Sequence, residues 1–115
     1  MSTLHHGFVA SILSANLPLI PASTLHIYLD AVEATCRNNP NQMTQSYHVQ
    51  LAAHIFTRAL IDGYIDNDEF NASLTSFCLS YARVKAAIDL YALLIRTAHG
   101  GLSNSEQESE VSEDR

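Results

Sequence analysis

Apolar residues recur every three or four positions along most of the chain, and no stretch alternates as a half-buried strand does. This spacing predicts an all-α protein, a compact bundle of four to five helices. The first helix is expected from about Thr3 to Ala15, with Leu4, Phe8 and Ile12 as its inward stripe. Gly7 weakens its start. Pro18 and Pro21 in LPLIP end it, because neither supplies a backbone donor. A second helix, capped by Ser23 or Thr24, reaches Cys36 on a stripe of Leu25, Tyr28 or Leu29, Val32 and Cys36. RNNPN closes it with turn formers. A third runs from about Met43 to Asp62, where Tyr47, Leu51 and Ile55, flanked by Ala52, Phe56 and Ala59, make a broad apolar face. The last helical stretch begins near Asn67 and extends toward Ala98, as one helix or as two joined near Ser80 to Arg83.

Between the third and fourth elements stands DGYIDNDEF, Asp62 to Phe70. The string resembles the closing half of an EF-hand calcium loop. In that loop glycine makes the turn, isoleucine pairs with a sister loop, and glutamate grips the ion with both oxygens. On this alignment the first and third ligand positions fall on Arg58 and Leu60, which offer no oxygen, so no calcium site is expected. Helix punctuation explains the string better. Gly63 suits the left-handed closing position of one helix. Asp66 suits the N-cap of the next, with Glu69 at the third helical position of a capping box. Ile65 and Phe70 then have the spacing of a hydrophobic staple, and Asp68 adds negative charge where the helix dipole favours it.

Charge divides the chain in two. Of a net charge of −6, four units come from residues 106 to 115, where Glu106, Glu108, Glu110, Glu113 and Asp114 face only Arg115. Residues 102–115 have too little apolar surface to offset the entropy of ordering, and are expected to form a disordered acidic tail after a helical domain of residues 1–101. Nothing is basic enough to neutralise many phosphates, so direct nucleic-acid binding is not expected. A helix-turn-helix reading of the Gly63 region fails on the acidic start of its second helix. No apolar run approaches the roughly 20 residues of a membrane span, and the N-terminal stretch has no basic region of the signal-peptide kind. Cys36 and Cys78 are far apart and read as small buried hydrophobes in a cytoplasmic, reducing setting.

Candidate chemistry is sparse. His5 and His6 point to different sides of a helix, His48 and His54 are six apart, and His26 and His99 are isolated, so no zinc-ligand spacing emerges. Asp30 and Glu33 can share a helix face but read as solvated surface charges. No nucleophile elbow, phosphate-cradling glycine loop or zinc-protease helix is present. Catalytic residues, metals and cofactors are therefore expected to be none. The segment RVKAAIDLYALLIR is apolar on two sides. Val84, Ile88, Tyr91 and Ile95 form one stripe, and Leu90, Leu93 and Leu94 lie on another. A helix that packs on one layer needs only one such face. The second is either bundle centre or a surface covered by another chain. Leu90, Tyr91, Leu93 and Leu94 are thus the expected partner-binding residues. By elimination, the chain reads as a small regulator acting through protein–protein interaction, a homodimer that inhibits or anti-activates a larger protein such as a transcription regulator. The rivals are a metal- or small-molecule-binding helical module built on the histidines, and an enzyme whose site is assembled from distant residues.

Overall fold

The computed structural model describes residues 1–98. Five helices follow one another: α1 (Thr3–Ala15), α2 (Ala22–Arg37), α3 (Gln42–Ile61), α4 (Asn67–Ser80) and α5 (Lys85–Ala98). A short 3-10 turn, Leu17–Leu19, follows α1. The all-α bundle expected from the spacing is what forms. The acidic stretch 102–115 and its expected disorder lie outside the described residues.

Each boundary has a local cause. Ser2 caps α1, its hydroxyl accepting from the His5 amide at 3.0 Å. Pro21 occupies the N-cap of α2, so neither Ser23 nor Thr24 fills the expected role; both lie inside the helix. Asn41 caps α3 by accepting from the Thr44 amide. Gln45 then reaches back to the carbonyls of Cys36 and Asn39, closing the α2–α3 turn.

The α3–α4 turn follows the expected punctuation closely. Gly63 adopts φ +77°, the left-handed conformation that side chains disfavour. The Tyr64 amide bonds the Ala59 carbonyl at 2.8 Å, and the Gly63 amide bonds that of Leu60. This is the double closure of a Schellman motif. Asp66 caps α4, but through the Asp68 amide, one position short of the capping-box partner. Glu69 does not reach back; its carboxylate meets His26 Nε2 at 3.2 Å. The staple pair Ile65 and Phe70 is buried. Arg58 and Leu60 are helical, and Arg58 pairs with Asp62 four residues on, as a helix surface allows.

α3 is the hub, packing against α1, α2 and α5, while α4 packs on α5. Asn67 fastens the start of α4 to the end of α5, its amide donating to the Leu94 carbonyl at 3.0 Å and to Thr97 Oγ1. The long apolar stretch is therefore two helices, broken at Tyr81. There Arg83 bonds Gln45 Oε1 and lies over the Tyr81 ring.

Because α5 meets both α3 and α4, it needs two apolar sides within one monomer. Leu90 is 0%, Leu94 1% and Leu93 8% exposed. These three fill the core, and the expectation that they face a partner gives way to the bundle-centre alternative. Tyr91 is half-buried against the same core. The exposed row of α5 is the other one, carrying Ile88 and Ile95. The expected homodimer loses the surface on which it rested.

Two outcomes follow. Gly63→Ala should cost about 1–2 kcal/mol, because a side chain has open space at Gly63 but must adopt a left-handed backbone. Asn at this position should cost less, and chemical denaturation of both variants measures the difference. Leu94→Glu should lose its cooperative transition, since it buries an unpaired carboxylate at several kcal/mol. A helical, stable Leu94→Glu protein by circular dichroism would contradict the core placement.

Candidate functional site

Polar chemistry in the core is concentrated at one point, where α1, α2 and α3 meet. His6 and His48 are both fully buried. Their rings stack at a centroid distance of 4.9 Å, with His6 Nδ1 2.6 Å from His48 Nδ1. His6 Nε2 lies 2.6 Å from the Tyr28 hydroxyl. Three side chains, one from each helix, form a single hydrogen-bonded row.

Burial drives Tyr28 well above the ordinary phenol range, so it keeps its proton and can either donate to His6 Nε2 or accept from it. Each neutral imidazole carries one ring proton, so the direction of both bonds follows the tautomer. In either direction His48 Nε2 is a buried atom with no hydrogen-bond partner among the described residues. An orphan of this kind costs about 1–3 kcal/mol, which the two short bonds and the packing around them must offset.

Both histidines are held neutral. Burial, then His48, His5 and the N-terminal amine lower His6 to about 4. Burial, then the N-terminal amine, lowers His48. The row is thus a neutral strut. Three of its four ring nitrogens are engaged inside the fold, and the fourth, His48 Nε2, is enclosed without a partner among the described residues. Among the described residues no three His, Cys, Asp or Glu side chains converge to hold an ion. Burial also raises Cys36, and raises Cys78 to about 11, keeping both thiols protonated and poorly nucleophilic. Asp30 is exposed and Glu33 half-buried, raised first by burial and then by Asp30.

The strut decides which way α1 faces. With His6, Ala10 and, in part, Val9 and Leu13 turned inward, the row expected to be core is turned out. Leu4 is 85%, Phe8 68% and Ile12 47% exposed. Gly7 lies on the side facing α3: a methyl group placed there would come 2.9 Å from the Tyr47 hydroxyl, and the Tyr47 side chain would have to move aside. Alongside Leu4, Met43 and Tyr47 of α3 expose much of their surface and complete a shallow groove with Thr3 and Thr44.

The model of the family described as CCR4-NOT transcription complex subunit 11 matches residues 2–95, nearly all of the five-helix unit. The chain belongs to this family. Its matched span includes both the strut and the outward row of α1. Comparison with curated proteins and with solved structures gives no significant match. Among the described residues, no helix is long and apolar enough to cross a membrane.

The strut makes the fold acid-sensitive. An unfolded histidine takes up a proton near pH 6.5, whereas folded His6 stays neutral down to about 4. Between these values only the unfolded chain gains the proton. The contribution is therefore complete above about pH 6.5 and falls away as the pH drops toward 4. At about 1.4 kcal/mol per pH unit, His6 alone should cost on the order of 3 kcal/mol across this window. Urea denaturation at a series of pH values measures it. A folded His6→Gln variant should show a flatter profile, and a wild-type profile flat from 6.5 to 4 would contradict a buried neutral pair.

Proposed function

We propose that the chain is a non-catalytic subunit that works by binding other proteins within a multi-subunit assembly, with the outward row of α1 as its principal contact. The observation that carries this reading is the exposure of Leu4, Phe8 and Ile12 along one row of a helix that buries His6 instead. Contiguous apolar surface on a small domain marks a place where another protein sits. Membership of a family of complex subunits supports the same reading, and its description points to the CCR4-NOT complex as the assembly. The family's description supports assembly within a complex and does not bear on the inhibitor or anti-activator role expected from sequence. The non-catalytic part of this reading is supported by the two buried thiols, which burial keeps protonated. A cytoplasmic location remains part of the proposal, supported by two free buried cysteines.

The test is co-purification of the tagged full chain from its host cells. The wild type should bring down subunits of the CCR4-NOT complex, identified by mass spectrometry. Leu4→Glu with Phe8→Glu should keep its helicity, since both positions are exposed, yet bind about 100-fold less, as expected when unpaired carboxylates are buried in a contact. A wild-type chain that elutes alone would overturn the proposal. A double variant that co-purifies as well as wild type would remove α1 as the contact.

A further inference from the structure

We infer that the groove between the outward row of α1 and the start of α3 takes an electrically neutral, apolar helical segment of a partner subunit, an inference that rests on the docking role proposed above. Charge is the first ground. From Met1 to Leu29 the sequence contains no Lys, Arg, Asp or Glu. The groove itself is lined by Thr3, Leu4, Met43, Thr44 and Tyr47, all uncharged. Arg83 lies in the neighbouring hollow beyond Met43 and Tyr47, bonded to Gln45 and over the Tyr81 ring, and is not part of the groove's lining. A charged side chain seated among the five lining residues would lose water and find no charge in that lining to replace it, which disfavours it there.

Shape is the second ground. Leu4, Phe8 and Ile12 are spaced by four, so they form a continuous ridge about 12 Å long, into whose flank the side chains of another helix can fit. The described residues are all helix and turn and offer no open strand edge, so an added strand has nothing to pair with. The exposed residues Leu4, Phe8, Met43 and Tyr47 are aromatic, methionine and aliphatic groups of the kind found at the desolvated centre of protein contacts.

The same observations exclude other occupants. The chain's own segment 102–115 is dominated by carboxylates and has only Leu102 and Val111 as large apolar residues, so it is the wrong chemistry for an uncharged groove. A membrane-surface helix requires Lys or Arg beside its apolar face, and α1 has neither. A second copy of this chain would match the polarity, and the crosslink distinguishes it from a different subunit.

A photo-crosslinker tests this directly. Phe8→p-benzoylphenylalanine is introduced into the full chain, its helicity is checked, and the chain is irradiated inside the purified complex. The crosslink should fall on a different subunit, in a helical stretch whose contact row lacks Lys, Arg, Asp and Glu. The association should survive a change from about 0.1 M to about 1 M salt, because no charge pair is there to be screened. A crosslink to a second copy, to residues 102–115, to lipid, or to a segment with a charged contact row would overturn the inference, as would dissociation in salt. So would the absence of any crosslink from a chain still held in the complex. A chain that never enters the complex refutes the docking role instead.

Discussion

The hydrogen-bonded row Tyr28–His6–His48 is the constraint on which the placement of α1 depends. It is the buried polar join that ties α1 to α2 and α3, and its two contacts of 2.6 Å hold α1 with His6 inward. A helix turned by half a revolution would bury Leu4, Phe8 and Ile12, as hydropathy alone recommends. It would also leave Tyr28 and His48 without His6, two polar groups stranded in the core. Avoiding that desolvation cost stabilises the observed orientation, at the expense of leaving three large apolar side chains in water.

The row also anchors an aromatic ladder through the core. Tyr28 approaches Phe56, Phe56 approaches Phe70, and Phe70 stacks on His26 at a centroid distance of 4.0 Å. His26 in turn meets Glu69, the residue expected to close a capping box. The α3–α4 turn and the α1 attachment are thus joined by ring contacts across α2 and α3.

Local features were legible in the sequence because their causes lie within a few residues. Gly63 and Asp66 act on amides no more than five positions away, so DGYIDNDEF could be read as a helix end, a turn and a new cap. The stripe of α2 was legible for the same reason. The facing of α1 was not. Both of its rows have helical spacing, and the correct one contains a histidine whose partners are 22 and 42 residues distant. Nothing near His6 signals that Tyr28 and His48 wait for it, though the small Gly7 and Ala10 beside it hint at close packing. The two apolar sides of α5 were visible, but deciding between core and contact required knowing that α4 folds back onto it. The exposed apolar ridge lies at the other end of the chain, on α1.

The central claim is that α1 buries its histidine row and presents its leucine–phenylalanine–isoleucine row. Solvent relaxation by a soluble paramagnetic probe, read by NMR on the free protein at neutral pH, tests it most directly. The account predicts strong broadening of the Leu4 and Ile12 methyl and Phe8 ring signals, with the ring protons of His6 and His48 unaffected. Protected Leu4, Phe8 and Ile12 signals together with an accessible His6 ring would contradict it.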